Sequence, residues 1–416
     1  MTPRQILLEC FRAALEAVEA RRCVREHLRD VPLAGEWHVV AIGKAAGAMA
    51  LGALDMLGPR LRDGCVIVPV GHAPPELLAA GRELRVIYGS HPVPDASSLV
   101  AGDEVVRYVR ALPPGAPLLF LISGGASSLV EWPVPGIELE DLQRLNRWAL
   151  GSGAPIATVN AARRRLSQLK GGGLAALAGR RAARALMISD VPGDDPRTIG
   201  SGLLHAPGNF GSVSLAALPP EIAELVARAD AGRPPVGRVP RVPVKMVASL
   251  RMACLAAAAA AQSHGLRARI GRSRFAGDAG MLGEKFAASL RRLPRQTVMI
   301  HGGESTVSLP PQPGRGGRNQ HLALAAAMTL EARQRTDCWL LAAGTDGIDG
   351  ITNDAGALVD ARTCARGRDA GCDPRASLAW ADSGTFLEAS GDLLHTGPTL
   401  TNVGDIILGL HWRGDR

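Results

Sequence analysis

The first half of the chain repeats one pattern of hydrophobic and polar positions. A short, nearly continuous apolar run ends in a glycine-rich or polar turn, and residues with the spacing of a helix follow. The apolar runs cover residues 38–42, 65–70, 84–88, 117–122 and 185–188. Continuous apolar strands that alternate with helices are typical of parallel strands buried on both faces. The pattern therefore predicts a doubly wound, mainly parallel sheet in an α/β/α sandwich.

A proline-rich segment separates this pattern from a second one. Residues 232–243 read GRPPVGRVPRVP, a composition that neither a helix nor a central strand tolerates. Strands and helices resume beyond it. A chain of 416 residues also exceeds the ~250–300 residues at which a single core stops growing. We therefore expect two α/β domains, an N-terminal one over residues 1–235 and a C-terminal one over residues 244–416.

Composition narrows the class of protein. With 46% hydrophobic residues the chain can build sizeable cores, and with 3% aromatic residues it has few rings for stacking nucleic-acid bases. The sequence has no uncharged apolar run of 18 residues and no N-terminal signal pattern, so we expect a cytoplasmic protein without membrane contact. Seven scattered cysteines without a C-x-x-C pair disfavour a disulfide framework and a structural zinc site.

Arginine carries almost all of the positive charge. The sequence has 47 basic and 39 acidic residues, for a net charge of +8, yet it contains four lysines. The arginines are spread along the chain, which disfavours a nucleic-acid partner and favours a small anionic substrate or cofactor. Two of the four lysines, Lys44 and Lys170, lie beside glycines.

Two glycine-rich turns follow predicted strands in the N-terminal half. Gly43 precedes Lys44, and Ser123 precedes Gly124 and Gly125. Such turns can bind an anion at the carboxyl ends of parallel strands, and an ordinary tight turn is the alternative. Neither a Walker A loop nor a G-x-G-x-x-G dinucleotide motif is present. A similar Gly-Gly segment in the C-terminal half predicts a second loop of this kind.

A polar helix face is a further candidate. Asn160, Arg163, Ser167 and Lys170 are spaced so that they fall within one arc of about 80° on a helix. The face either contributes to a binding site or is simply solvated. Arg318, at a predicted helix start after a glycine-rich loop, can bind a phosphoryl group or a carboxylate.

Aspartates cluster near predicted strand ends. Mg²⁺ is usually held by one or two carboxylates together with substrate phosphates. Asp190, Asp346 and Asp349 are therefore candidate ligands for a magnesium-nucleotide. Roles in turns and helix caps are the alternative.

A series of nine short motifs, in order along the chain, resembles the glycerate 2-kinase family of the MOFRL type. The resemblance covers nearly the whole length, roughly from Leu7 to Leu410. The motifs are GKAA (43–46), GSHPVPD (89–95), ISGGASS (122–128), N-x-x-R-x-x-L-S-x-x-K-G-G (160–172), SDVPGDD (189–195), GGEST (302–306), GRGGRNQ (314–320), AGTDGIDG (343–350) and TGPT-x-TN (396–402).

The resemblance implies a Rossmann-like N-terminal domain and a MOFRL-type α/β C-terminal domain, with the active site in the cleft between them. It implies ATP and Mg²⁺, with phosphorylation of D-glycerate at its 2-hydroxyl. The family's cleft lysine and arginine correspond to Lys44 and Arg318. We interpret Asp190 as the base for the acceptor hydroxyl or as a metal-linked acid, with Asp346 and Asp349 as the other metal candidates.

The remaining site residues are assigned in two groups. The expected substrate- or phosphate-binding residues are Ser123, Gly124, Gly125, Ser127, Asn160, Arg163 and Lys170. The expected nucleotide-binding residues are Gly302, Gly303, Glu304, Ser305, Asn319 and Asp346.

The chain departs from the family pattern at Leu203, Leu204 and Leu250, positions that bear on the nucleotide pocket and the acceptor. Two other functions stay open. One is an NAD(P)H-dependent hydroxypyruvate reductase, and the other is a non-catalytic protein that binds an anionic metabolite. The oligomeric state is also open, with a homodimer as one alternative.

Overall fold

A computed structural model describes residues 1–31, 34–81, 84–206, 218–234 and 239–412. The chain divides into two compact units. The first, which we call the N-terminal unit, is Ala20–Val247; the second, the C-terminal unit, combines Met1–Glu19 with Ala248–Arg416. Each unit contains its own β-sheet and helices, so the prediction of two α/β domains is confirmed.

The helices, in chain order, are α1 (Pro3–Ala17), α2 (Ala20–Arg29), α3 (Ala46–Leu57), α4 (Pro75–Ala79), α5 (Ala96–Ala111), α6 (Ala126–Leu129), α7 (Leu139–Gly151), α8 (Ile156–Leu166), α9 (Gly173–Ala178), α10 (Pro220–Gly232), α11 (Leu250–Ser263), α12 (Ala279–Leu290), α13 (Arg318–Ala332), α14 (Thr363–Asp369), α15 (Pro374–Ala379) and α16 (Ser383–Ala389). Within the described ranges, none of the helices is long and apolar enough to cross a membrane.

The strands are β1 (Trp37–Ile42), β2 (Leu61–Val68), β3 (Leu84–Tyr88), β4 (Leu118–Ile122), β5 (Ala183–Ser189), β6 (Val244–Ser249), β7 (Arg267–Ile270), β8 (Phe275–Asp278), β9 (Thr297–Thr306), β10 (Cys338–Gly344), β11 (Gly356–Asp360), β12 (Leu393–Leu394) and β13 (Asp405–His411).

The sheet of the N-terminal unit has the strand order β3-β2-β1-β4-β5-β6. The pairs β3–β2, β2–β1, β1–β4 and β4–β5 are all parallel, as the apolar runs predicted. Every residue of β4 is buried, which explains why this strand reads as a continuous apolar run. From β1 the chain continues to β2 and β3 on one side of the sheet, and from β4 it continues to β5 and β6 on the other side. The direction of strand succession therefore reverses between β1 and β4. In open α/β sheets, a crevice for ligands forms at the carboxyl ends of such a strand pair.

Two hydrophobic clusters in the described part of the N-terminal unit support the elements around the glycine turns. The larger one lies between the sheet and helices α5 and α9, and Phe120, Val105 and Leu174 are among its fully buried members. The smaller one joins α7, α8 and α10 through residues such as Leu145 and Ile222. The second cluster holds α8 rigidly, which matters because α8 carries two of the predicted site residues.

The sheet of the C-terminal unit is mixed rather than parallel. Its order is β12-β11-β10-β13-β9-β7, and β8 also pairs with β9. The pairs from β12 through to β9 are antiparallel, whereas β7 and β8 run parallel to β9. Helix α13 packs in the core on this sheet together with α12.

The first helix belongs to the C-terminal unit, whereas we predicted residues 1–235 as one N-terminal domain. Helix α1 packs against α11. The Arg4 guanidinium donates to Asp392 at 3.0 Å, and the Thr401 hydroxyl donates to the carbonyl oxygen of Val18 at 2.7 Å. These partners are at least 383 positions apart, so local patterning carries no signal of them. The division between the units also falls inside β6 and not in the proline-rich segment.

Two helical glycines of the N-terminal unit provide a matched test of its packing. Gly102 lies inside α5, where alanine normally favours the helix by about 1 kcal/mol. A Cβ atom at Gly102 would lie 2.0 Å from the carbonyl oxygen of Glu131. We therefore expect Gly102→Ala to lower the free energy of unfolding by about 1–3 kcal/mol, measured by chemical denaturation.

The control is Gly151, the last residue of α7, whose Cβ position has no atom within 4 Å. Gly151→Ala should be neutral or stabilise the protein by up to about 1 kcal/mol. Equal effects of the two substitutions would show that α5 does not pack this closely on the segment around Glu131.

Candidate active site

The turns after β1 and β4 are locked together where the strand succession reverses. A Cβ atom at Gly43 would lie 2.1 Å from the Ser123 hydroxyl oxygen, so only glycine fits there. The same oxygen accepts a hydrogen bond from the backbone N–H of Ala45 at 3.0 Å. The N–H of Lys44 donates to the carbonyl oxygen of Gly124 at 2.9 Å. Two turns that are far apart in sequence therefore form one structural element.

A cavity of about 260 Å³ opens beside these turns. This volume is below the range of about 300–1,000 Å³ that is typical of drug-sized ligand sites, so the cavity suits a small molecule. Six of the predicted site residues line it, namely Gly124, Gly125, Ser127, Asn160, Arg163 and Asp190. Sequence reasoning therefore named the glycine turn and half of the polar side chains of this cavity, and missed His91, Ser128, Thr198 and Ser201.

Three side chains approach the glycine turn closely. A Cβ atom at Gly124 would lie 2.0 Å from Oδ2 of Asp190. A Cβ atom at Gly125 would lie 3.3 Å from Cγ of Lys44 and 3.0 Å from Cδ2 of His91. Gly125 also has a φ of +84°, which favours glycine. The absence of side chains in the turn therefore brings a lysine, an aspartate and a histidine to one small space.

His91 lies at the rim of the cavity and adds a neutral polar group to it. His91 is exposed, and one side of its ring lies against the turn. The partial loss of water there lowers the pKa of His91, with a further contribution from the charge of Lys44. His91 is therefore uncharged at neutral pH. In the sequence it is one of two histidines in turns, and no spacing rule distinguishes it from the other.

Arg163, on α8, brings to the cavity a positive charge that no acid matches at close range. Its Nη2 donates to the side-chain oxygen of Asn146 at 2.6 Å, a neutral partner. Burial lowers the pKa of the guanidinium, but an arginine stays protonated in a protein. Among the described residues it forms no ion pair, and Glu131 acts on it only through the longer-range field. An anionic ligand would therefore gain from binding here.

The predicted helix face ends earlier than expected. Helix α8 stops before Ser167, which is extended with φ −120° and ψ 136°, so that Asn160 and Arg163 alone share the face. Lys170 is completely buried, with its Nζ 2.5 Å from a carboxylate oxygen of Glu131. The substrate-binding role predicted for Lys170 is therefore wrong, because its charge is matched inside the core and does not reach the cavity.

In the C-terminal unit, Arg318 is held between two acids. Its Nε and Nη2 donate to the two carboxylate oxygens of Asp405 at 2.7 and 3.1 Å, and its Nη1 donates to Glu304 at 2.5 Å. Burial raises the pKa of Asp405 to about 6, and the charge of Arg318 opposes this increase. Sequence reasoning missed Asp405, although it follows the last recognised motif by three residues.

Asp349 caps helix α13. One carboxylate oxygen accepts from the backbone N–H and the side-chain amide of Asn319 at 3.0 and 3.2 Å, and the other accepts from the N–H of Gln320 at 2.8 Å. Asp349 is buried, and this raises its pKa to about 7. Both oxygens of Asp349 accept hydrogen bonds at the helix terminus, so the structure gives the residue a capping role, and the metal role stays a prediction. Asn319 is likewise buried in the cap.

The second glycine pair lies inside a strand and not in a turn. Gly302 and Gly303 are part of β9. Cβ atoms there would lie 2.5 Å from Cγ of Leu250 and 2.2 Å from the carbonyl oxygen of Phe275. The glycines are therefore explained by close packing, and the phosphate-binding loop predicted for this segment is wrong. Within the same strand Ser305 is buried.

Asp190, in the N-terminal unit, and Asp346, in the C-terminal unit, each stay predicted magnesium ligands. Both are partly exposed and follow the ends of β5 and β10. One such carboxylate is enough, because Mg²⁺ usually completes its shell with water and substrate phosphates. In the described ranges, the group of at least three potential metal ligands within 4.8 Å is a different one, Asp337, Cys338 and His411.

Comparison with known proteins identifies the family of this chain. Residues 6–214 match the model of a domain of unknown function, DUF4147, and residues 297–405 match the MOFRL family. A D-glycerate 2-kinase of Thermotoga maritima is 36% identical, over 98% of both chains. The crystal structure of a glycerate kinase from the same organism superposes with a TM-score of 0.84 at 35% identity, over 98% of this chain and 99% of that one. The chain belongs to the MOFRL-type glycerate 2-kinase family.

Names within the glycerate 2-kinase family are not uniform. A protein of Agrobacterium vitis with the name "Putative hydroxypyruvate reductase" is 40% identical, over 98% of this chain and 94% of its own length. The relatives therefore carry both a kinase and a reductase name, and the geometry of the site must decide between the two activities.

The departures from the family pattern lie in hydrophobic cores. Leu203 and Leu204 are buried in the large cluster of the N-terminal unit, while Gly200 and Ser201 of the same segment line the cavity. Leu250 is buried against Gly302. None of these three leucines lines the cavity, so the departures leave its polar wall unchanged.

The pKa of Asp349 makes the stability of the protein depend on pH. The pKa of Asp349 is about 7 in the folded protein, against 3.8 for an unperturbed carboxyl group in the unfolded chain. Between these two pH values the folded protein therefore binds one more proton than the unfolded chain. The contribution of Asp349 therefore weakens the fold as pH rises from about 4 to about 7. We expect Asp349→Asn to gain stability relative to the parent protein over this pH range, measured by denaturant unfolding at several pH values.

Asp369, an exposed aspartate at the end of α14, provides the control. Asp369→Asn should follow the pH profile of the parent protein. If the Asp349→Asn profile also runs parallel to the parent, the carboxyl at position 349 is not buried as described.

Proposed function

We propose that the protein is an ATP-dependent kinase that phosphorylates the 2-hydroxyl of D-glycerate and releases 2-phosphoglycerate and ADP. The observation that carries this proposal is the small cavity at the reversal of strand succession, where the unmatched charge of Arg163 faces the Gly124–Gly125 turn beside Lys44. Its volume of about 260 Å³ suits a three-carbon acid. The relatives named as glycerate kinases support the same activity.

Arg163 binds the carboxylate of the acceptor in this proposal. A guanidinium whose close partner is a neutral amide gains more from an anion than one already paired with an acid. Ser127 and Asn160 line the same wall, and the Ser127 hydroxyl is the polar group of this pair that is available to the acceptor. The acid is thereby oriented with its 2-hydroxyl toward the glycine turn.

Lys44 and Asp190 act on the reacting groups. Phosphoryl transfer depends mainly on positioning and on stabilisation of charge, so a lysine beside the turn stabilises the transferred group. Asp190, on the other side of Gly124, accepts the proton of the acceptor hydroxyl. Asp190 or Asp346 would hold Mg²⁺ through a carboxylate oxygen, and the bound ion would supply further neutralisation of the phosphate charge.

The roles assigned in the C-terminal unit stay predictions. Arg318 would contact the transferred phosphoryl group, and Glu304 would contribute to nucleotide binding. Arg318 forms an ion pair with Glu304 and another with Asp405. A phosphate would therefore have to share the arginine with these acids.

The turn after β1 favours a kinase over a hydroxypyruvate reductase. In G-x-G-x-x-G, the second glycine lets the backbone approach the pyrophosphate, and the third allows close helix packing. Ala45 and Ala48 occupy the corresponding positions. The N–H of Ala45 already donates to Ser123, so it is not directed at a ligand phosphate.

Phosphorus NMR after incubation with D-glycerate, ATP and Mg²⁺ tests the proposal. We expect the resonances of 2-phosphoglycerate and ADP to appear together. Oxidation of NAD(P)H with hydroxypyruvate, without ADP formation from glycerate, would support the reductase instead. Binding of glycerate without either reaction would support the non-catalytic alternative.

Replacement of Lys44 tests the role of the cation beside the turn. We expect Lys44→Met to lower kcat by about 10²–10³-fold, the usual cost of losing one preorganised charge-stabilising donor. Lys44→Arg should also be impaired, because a planar guanidinium does not place its charge where the compact ammonium does. Steady-state ADP formation measures both.

Lys285 is the matched control, because it is an exposed lysine on α12 in the C-terminal unit. Lys285→Met should keep the kcat of the parent protein. A Lys44→Arg enzyme with full kcat would contradict a specific role for lysine at position 44.

A further inference from the structure

The hydroxyl of Ser127 is the end of a directed chain of hydrogen bonds. The side-chain nitrogen of Asn160 faces the carbonyl oxygen of Thr198 at 3.4 Å, and a carbonyl can only accept. The amide oxygen of Asn160 therefore points the other way and accepts from the Ser201 hydroxyl at 2.9 Å. A hydroxyl has one proton, so the Ser201 oxygen must accept from Ser127, which lies 2.7 Å away.

The direction of this chain decides what Ser127 offers to the cavity. Its proton is engaged with Ser201, so the part of its oxygen that faces the cavity carries lone pairs. A lone pair recognises a donor, which in a small ligand is an ammonium, an N–H or an O–H group. An ammonium is disfavoured because the guanidinium of Arg163 places positive charge at the same cavity. A hydroxyl is the donor that remains for an acid ligand.

The backbone around Ser201 is built to hold the chain in place. Gly200, Ser201 and Gly202 have φ angles of +57°, +58° and +75°, and a residue with a side chain rarely adopts this region. Ser201 is also 1% exposed. Its carbonyl oxygen accepts from the Arg164 side chain at 3.1 Å and from a backbone N–H at 3.3 Å. An unfavourable conformation that the surroundings maintain this firmly is typical of functional sites.

We propose that the Ser127–Ser201–Asn160 chain recognises the hydroxyl of the acceptor that is not phosphorylated. This inference rests on the proposed function, in which D-glycerate is phosphorylated at its 2-hydroxyl and keeps a free 3-hydroxyl. Ser127 accepts the hydrogen bond of the 3-hydroxyl. Ser201 and Asn160 are positioning residues that keep the proton of Ser127 turned away from the cavity.

The chain therefore gives the enzyme selectivity for a dihydroxy acid over a monohydroxy acid. D-lactate has the carboxylate and the 2-hydroxyl of D-glycerate but lacks the 3-hydroxyl. In its complex the lone pairs of Ser127 would be left without a donor. A partly buried polar group without a partner costs about 1–3 kcal/mol, which corresponds to about 5–150-fold in relative efficiency.

The test compares kcat/KM for D-glycerate and D-lactate in the parent protein and in Ser127→Ala, Ser201→Gly and Ser128→Ala variants. Where turnover of D-lactate is too slow, its competitive inhibition constant replaces kcat/KM. The parent protein should prefer D-glycerate. Ser127→Ala should reduce this preference by at least about fivefold, because it loses efficiency with D-glycerate and not with D-lactate.

The Ser201→Gly variant should still fold, because glycine adopts a φ of +58° without strain. It releases the Ser127 proton toward the cavity, so the preference for D-glycerate should also fall. Ser128, on the same short helix, donates instead to the carbonyl oxygen of Gly125 at 3.4 Å. Ser128→Ala should keep the ratio of the two substrates.

Two outcomes overturn the proposal. One is an equal loss with both substrates in Ser127→Ala, which would indicate a structural role alone. The other is an unchanged ratio in both Ser127→Ala and Ser201→Gly. Failure of the proposed function is distinguishable, since in that case the parent protein would form no ADP with D-glycerate.

Discussion

The contact between Gly43 and Ser123 is the constraint on which the candidate active site depends. Strands β1 and β4 are parallel neighbours, but the chain leaves them in different directions. Because Gly43 has no side chain, the Ser123 hydroxyl can lie close to it. The oxygen of this hydroxyl accepts a hydrogen bond from the backbone N–H of Ala45. Lys44 is thereby fixed beside the Gly124–Gly125 turn. The backbone N–H of Ala45, at the position of the second glycine of a dinucleotide motif, donates to the same Ser123 hydroxyl.

Charge matching distinguishes Arg163 from two other candidate cations, Lys170 and Arg318, in this arginine-rich chain. Lys170 is matched by a buried acid, Glu131, and Arg318 is matched by Asp405 and Glu304. Arg163 has a neutral amide as its close partner and lines the cavity. A buried charge that the protein itself leaves unmatched is best satisfied by a ligand of the opposite sign. The location of an anionic substrate therefore follows from the pairing of charges and not from their number.

Sequence patterns predicted the elements that depend on local periodicity and missed those that depend on distant partners. The five parallel strands and the turn around Gly124 were predictable, because continuous burial and glycine turns leave a local signal. The roles of Gly303 and Asp349 were not, since the first packs on Phe275 and the second caps a helix 30 residues away. The assignment of α1 to the C-terminal unit was missed because its partners there are also distant in sequence. Ser201 had no signal at all, because its importance lies in a backbone angle and in hydrogen-bond direction.

The central claim is that the cavity at the reversal of strand succession holds the acceptor acid. A crystal structure of the protein with D-glycerate tests this claim most directly. The account predicts the carboxylate on the guanidinium of Arg163 and the 2-hydroxyl near Asp190 and the Gly124–Gly125 turn. A glycerate molecule bound instead at Arg318, with the cavity beside Arg163 filled by water, would contradict it.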